Sequence, residues 1–295
     1  MKIITNIFIF GLILLTLSCK QQSNKKLIDT VVIDSTQFPS VNKEQERIKQ
    51  QKEIEEEEIT DSIRLRNVLD KALEIANQNL KQCNFSKEFE SIPNSAYTVT
   101  TKLKMGNFFS LKYKHIIIHR ESPHSINIDV YLVSNNKLKN VLSHQEWSLT
   151  YVSDTLKDVN GDGYKDFVLN WYGSNGCCLK AFSDVFLFQK DKGDFTEYFE
   201  FINPTFYPKE KVIRGVCYGH PGETEMYTYR WDGNSIDTVE YVYFEKNDTG
   251  EKTGKIIRSK HKPYSSLNQK IKRLDSIPNE YKEIEGYDWF TGDGY

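Results

Sequence analysis

From Ala96 onward the chain is a succession of short aromatic and β-branched runs, cut by polar or glycine-containing turns, and this texture restricts the fold to antiparallel β structure. "AYTVTTKLKMGN", "FFSLKYKHIIIHRE", "INIDVYLVSNN", "EWSLTYVSDTL", "DFVLNWYG", "SDVFLFQKDKG", "MYTYRWDGN" and "DTVEYVYFEKNDTG" each read as a strand. Asp232-Gly233 between two aromatic-rich runs is a hairpin signal, because a tight primed turn needs positive φ. The spacing predicts a mainly β fold over residues 95–250, as a single β-sandwich or a propeller-like β-domain. The Asp-rich segment at 158–166 has no clear second copy, which argues against a complete propeller.

Upstream, residues 44–82 contain no Gly or Pro and predict a helical segment. Its first half is nearly all charge, including Glu55 to Glu58. Its second half carries Leu65, Leu69, Ala72, Leu73, Ala76 and Leu80 at helical spacing. There are too few clean heptads for a coiled coil, so the stripe predicts a helix lying on the β-domain. Residues 251–295 are basic and less apolar, and Asn279 to Phe290 predicts a short helix with an aromatic end that docks back.

The first residues decide the compartment. Lys2, the apolar run Ile3 to Leu17, and Ser18 before Cys19 describe a secretory signal over residues 1–18, too short to span a membrane. Leu15-Thr16-Leu17-Ser18-Cys19 resembles a bacterial lipobox, with Thr16 departing from the usual branched apolar residue. That resemblance implies lipidation at Cys19, a flexible tether over 19–43, and membrane attachment in the bacterial cell envelope, periplasmic or surface-facing. A net charge of −2 gives no electrostatic case for nucleic acid.

Within the β region, "DVNGDGYKD" sets Asp158, Asn160 and Asp162 at positions 1, 3 and 5 of a loop. Tyr164 at position 7 would offer its backbone carbonyl, and Asp166 stands at position 9. Ca2+ takes six to eight oxygens at roughly 2.3–2.6 Å, and alternate residues of a loop present them inward. Gly161 and Gly163 permit the left-handed backbone that wraps an ion. An EF-hand needs a glutamate at position 12 and flanking helices; here position 12 is Leu169 and the flank Phe167–Tyr172 reads as a strand. The loop resembles the D-x-[DN]-x-D-G-x-x-D turn of FG-GAP-type sheets. A His or second acidic cluster is missing nearby in sequence, so the ion is expected to serve structure and the chain is not expected to be an enzyme.

Four cysteines follow Cys19: Cys83, Cys177, Cys178 and Cys217. An even count in an exported chain predicts two disulfides. A bridge between neighbours needs a strained ring, so Cys83 and Cys217 would each take one of the central pair. Four buried thiols are the alternative, and a zinc site is disfavoured by ligands standing side by side. The loop after the ion-binding strand holds Trp171, Tyr172, Ser174 and Asn175, a candidate partner-binding surface by position, with a structural corner as the plainer reading. His115 and His119 tempt as a metal pair, but Ile116-Ile117-Ile118 argues for a strand, which puts them about 13 Å apart. Gly-x-Ser-x-Gly, His-Glu-x-x-His and phosphate-cradling loops are missing from the sequence.

"DVNGDGYKDFVL", then "SDVFLF", "FTEYFEFINPTFYPKEKVIRG" and "YTYRWDGNSIDTVEYVYF" together resemble a family of calcium-binding periplasmic proteins and lipoproteins similar to PliI-type lysozyme inhibitors. The likeness covers roughly residues 145–245. It implies structural Ca2+ held by Asp158, Asn160, Asp162, Tyr164 and Asp166, and immunity against peptidoglycan-cleaving toxins. The expected function is therefore a lipid-anchored, calcium-stabilised protein that binds a protein partner in the envelope, with a peptidoglycan hydrolase the sharpest candidate. The alternatives are a surface adhesion or glycan- or protein-binding module with the same loop, and a glycan-acting hydrolase.

Overall fold

A computed structural model describes residues 40–93, 97–173, 176–263 and 270–294. The expected signal peptide, Cys19, and the tether up to residue 39 lie outside the described residues. The chain divides into two units, Met1–Glu53 and Ile54–Tyr295. In the first, the described residues are the opening turns of helix α1, which runs Ser40–Gln78. The helix thus begins before the predicted residue 44, since Ser40 to Lys43 contain nothing that breaks a helix. Among the described residues, no helix is long and apolar enough to cross a membrane.

The second unit is mainly β. A five-stranded meander comes first: β1 Phe85–Ser91, β2 Val99–Gly106, β3 Lys114–Glu121, β4 Ser125–Ser134 and β5 Lys137–Trp147. The next sheet contains β6 Tyr151–Lys157, β7 Asp166–Tyr172 and β8 Ala181–Phe186. A small hairpin, β9 Phe188–Gln189 with β10 Asp194–Phe195, precedes β11 Phe199–Ile202, which returns beside β8 to give the order β11-β8-β7-β6. The third sheet is a six-stranded meander of β12 Pro204–Tyr207, β13 Val212–Val216, β14 Met226–Asp232, β15 Ser235–Lys246, β16 Lys252–Ser259 and β17 Lys272–Leu274. All pairings are antiparallel. A single turn of 3-10 helix, Asn279–Tyr281, and α2, Tyr287–Thr291, end the described chain.

Period-two alternation explains how the layers stack. On β7, Phe167 and Leu169 point toward Ile126, Ile128, Val130 and Leu142 of the first sheet. Val168, between them, points the other way, with Val185 and Phe201, onto Ile213, Tyr227 and Trp231 of the third sheet. The middle sheet is apolar on both faces, so it takes a layer on each side. Of the expected sandwich or propeller-like domain, the mainly β, antiparallel character holds; the layers number three stacked sheets where a single sandwich has two. The outer faces are closed by local elements. Leu69, Ala72 and Ala76 of α1, with Leu80 in the turn after it, cover Leu103, Met105, Ile116 and Ile118 of the first sheet. Tyr281, Ile284, Trp289 and Phe290 cover Val216, Met226, Val242 and Ile256 of the third.

The β region therefore extends beyond the expected 95–250. It begins at Phe85, and β16 and β17 lie inside what was expected to be a tail. Their apolar pair Ile256 and Ile257, each 3 % exposed, supplies the burial that keeps them in the sheet.

Candidate functional site

The β6–β7 hairpin holds the Asp-rich turn. Gly161 adopts φ +74°, and a Cβ there would stand 2.1 Å from the Pro208 carbonyl oxygen, so the turn is wedged against the β12–β13 connection and only glycine fits. The side chains then fold back on the turn's own amides. Asp158 Oδ1 accepts from Gly161 N at 2.7 Å and Oδ2 from Gly163 N at 2.9 Å. Asn160 Oδ1 accepts from Asp162 N at 3.1 Å, and Asp162 Oδ1 from Tyr164 N at 2.9 Å. Successive Asx turns of this kind wind the chain so that residues 158, 160 and 162 share the inside of the curve.

Asp166 behaves differently. It is fully buried, and its two oxygens accept from Val159 N at 3.0 Å and Phe188 N at 2.9 Å. Burial pushes its carboxyl up to about 7; the two backbone donors oppose this, and Asp162 and Asp158 add to it. Asp166 is thus a staple joining the turn to the β9 hairpin. Sequence spacing alone cannot reveal this, since Phe188 lies 22 residues away.

The residue types suit a hard cation, and each acid oxygen that accepts one N–H keeps a second lone pair. The acid oxygens of Asp158, Asp162 and Asp166 are not, however, gathered within 4.8 Å of one another, and among the described residues the group that meets that distance is Cys177, Cys178 and His220. A calcium ion would have to draw the turn closed around itself.

The other end of the hairpin carries a different surface. Thr150 N donates to the Trp147 carbonyl at 3.0 Å and Tyr172 N to the Thr150 carbonyl at 2.8 Å, which brings the end of β5, the start of β6 and the end of β7 to one corner. There Trp147 is 54 % exposed, Leu149 78 %, Val152 61 % and Tyr172 43 %. Of the expected partner-binding residues, Tyr172 belongs to this corner. Trp171 is half-buried and stacked on Phe182, with ring centroids 4.2 Å apart. Ser174 and Asn175 lie outside the described residues. Trp147, Leu149 and Val152 were missed because they sit at the end of β5, in the turn after it and at the start of β6, and only the fold brings them to Tyr172.

Between β3 and β6 lies a cleft of about 550 Å³, lined in part by Lys102, Lys104, His119, Glu121, Tyr151 and Asp154. Tyr151 O–H donates to Asp154 Oδ1 at 2.5 Å, and His119 Nε2 stands 3.3 Å from that hydroxyl. Burial pushes His119 down, against the pull of Asp154 and Glu121. His115, on the same strand, is fully buried, with Nε2 2.8 Å from the Gly193 carbonyl oxygen.

The expected disulfides are not formed: Cys83, Cys177, Cys178 and Cys217 are all free thiols. The layering explains why the expected partners do not meet. Cys83 is exposed in the turn between α1 and the first sheet. Cys178 packs on the outer face of the third sheet and Cys217 on its inner face. Burial pushes the Cys217 thiol up to about 12.

Set against known protein families, curated proteins and solved structures, the chain matches none.

Proposed function

We propose that the chain is a non-catalytic binding protein of the bacterial envelope, tethered through Cys19, whose β6–β7 hairpin is held at one end by Ca2+ and offers a protein-binding surface at the other. The observation that carries this reading is the exposed corner of Trp147, Leu149, Val152 and Tyr172. Clustered exposed aromatic and aliphatic side chains commonly mark contact surfaces, and large rigid rings lose little entropy on docking. The corner and the Asp-rich turn lie at opposite ends of paired strands, about 20 Å apart at ~3.3 Å per residue. Asp158, Asn160, Asp162, the Tyr164 carbonyl and Asp166 would hold the ion. It would neutralise the acid cluster and stiffen the hairpin, leaving the surface pre-ordered.

The partner proposed is a lysozyme-like peptidoglycan hydrolase. Purified chain should slow muramidase lysis of cell walls at near-equal molar amounts, and a Trp147→Ser/Tyr172→Ser double variant should lose that effect while melting normally. Inhibition that survives the double variant counts against the corner, and lysis unchanged across a panel of muramidases removes the hydrolase.

One observation favours a second reading, a glycan-acting hydrolase: the cleft places two carboxylates, Glu121 and Asp154, beside His119 and Tyr151. Sugar released from peptidoglycan by the wild-type chain and not by Asp154→Asn would move the function there.

A further inference from the structure

We propose that Cys177, Cys178 and His220 form a site for a thiophilic d10 cation, Zn(II) or Cu(I). Their donor atoms all lie within 4.8 Å of one another, though 43 residues separate His220 from Cys177. His220 Nδ1 stands 3.6 Å from Cys177 Sγ. With metal–sulfur and metal–nitrogen bonds of about 2.3 and 2.0 Å, tetrahedral ligands of those types sit about 3.5 Å apart, so this pair is already at bonding separation. The two sulfurs are 3.1 Å apart. Opening them by ~0.7 Å reaches the tetrahedral spacing. That movement is local, because Cys177 is exposed.

Both loops that supply the ligands are braced by backbone bonds. Gly173 N donates to the Lys180 carbonyl at 2.9 Å, closing the β7–β8 loop at its base. On the β13–β14 side, Cys217 N donates to the Glu225 carbonyl at 2.8 Å. Trp289 Nε1 donates to the Gly219 carbonyl at 2.9 Å, which fixes the residue before His220. Such outer contacts hold first ligands in place and are a usual part of metal sites.

Two thiolates and an imidazole select soft or borderline cations over calcium or magnesium. Cys177 and His220 are both exposed, which leaves the remaining coordination position open to water or to an added ligand. The Lys180 ammonium lies against Gly176, the residue before Cys177, where a Cβ would stand 2.9 Å from it, and offsets the excess negative charge that two thiolates place on a monovalent ion. This site is separate from the Asp-rich turn and does not depend on the function proposed above.

The test uses the full chain, reduced and kept anaerobic, titrated with Zn(II) and in parallel with Cu(I), each against a chromophoric chelator. Co(II) serves as a spectroscopic probe of thiolate ligation. One equivalent should bind, with thiolate-to-cobalt charge-transfer absorption and no change on adding excess calcium. Cys177→Ser and His220→Ala replace exposed residues and should each weaken binding at least about tenfold with an unchanged far-UV spectrum. Cys83→Ser should leave it intact. Saturation by one cation and not the other names the ion. Less than half an equivalent of either, undiminished affinity in both exposed-ligand variants, or loss of binding in Cys83→Ser overturns the proposal, as does isolation of the chain with Cys177 and Cys178 joined in a disulfide.

Discussion

His144 on β5 and Asp184 on β8 face each other across the seam between the first and second sheets, with Nε2 and Oδ2 3.9 Å apart and Glu146 Oε2 3.6 Å from the same ring nitrogen. Asp184 is 3 % exposed. Burial pushes its carboxyl up to about 6, opposed by the Trp171 indole and reinforced by Glu200 and Glu146. Burial also pushes His144 down, against the pull of Glu146. A proton acceptor and a proton donor thus share an interior with little water to screen them.

The Asp184 shift sets a sign. Its unfolded value is the ordinary 3.8 and its folded value about 6, so across that window the folded chain holds a proton the unfolded chain has released. Asp184 therefore lowers stability as pH rises from about 4 to about 6, and its penalty is constant above. His144 works the other way, costing stability as pH falls through its ordinary value. Asp184→Asn isolates the acid: the variant should be more stable than wild type by ~1–3 kcal/mol above pH 6 and gain nothing near pH 4. Urea melts at a series of pH values measure this, and a gap that is flat from pH 4 to 7 rejects the assignment.

Asp166→Ala should be among the costliest single changes in the second unit. It leaves the amides of Val159 and Phe188 without their acceptor in a fully buried place. Two unsatisfied buried donors cost ~2–5 kcal/mol together. Asp166→Asn retains one acceptor oxygen and should recover part of the loss. Thermal denaturation without added metal separates this staple role from ion binding: a normal melt for Asp166→Ala in chelator would show that the two amides need no partner.

Calcium should raise the melting temperature of the wild-type chain, and Asp162→Ala should abolish the rise. Asp162 is the acid to change because it accepts one weakly constrained turn amide, Tyr164 N, so its loss harms the apo fold little. An equal calcium response in wild type and Asp162→Ala would place the ion elsewhere. Gly161→Ala makes a useful contrast: its Cβ meets the Pro208 carbonyl oxygen at 2.1 Å, so it should destabilise the chain whether calcium is present or not.

What could be read in advance was local. The Asp232-Gly233 turn does join β14 to β15, with Gly233 at φ +58°, because a dipeptide's backbone preference travels with it. The α1 stripe and the acid spacing at 158–166 are likewise properties of short windows. What stayed hidden was long-range. The unbroken apolar run Phe167-Val168-Leu169 says that both faces of β7 are buried, but which sheet each face meets depends on three layers assembling. Cys83 and Cys217 were each expected to bridge to one of the central pair, and a parity argument has no way to see that one sheet holds Cys178 and Cys217 on opposite faces. His220 has Cys217 three residues upstream, but that thiol is buried on the inner face of the third sheet, and the cysteine His220 does meet, Cys177, is 43 residues away.

The seating of α1 on the first sheet can be tested by size. Ala72 is fully buried and Ala76 1 % exposed, and these two small residues let the helix approach Leu103, Ile116 and Ile118 closely. Arg120 reinforces the contact: one guanidinium nitrogen donates to the Leu65 carbonyl at 2.7 Å and the other to Asp129 Oδ2 at 2.7 Å. Ala72→Leu adds volume where the helix cannot move away without breaking that bond, and should cost ~1–3 kcal/mol. Leu69→Ala removes volume at the same seam and should cost ~2–4 kcal/mol. Both changes should lower a single cooperative melt that includes the β-sheet signal. If the helix were instead an independent stalk, far-UV loss at 222 nm would separate from the aromatic near-UV transition, and neither substitution would shift the latter.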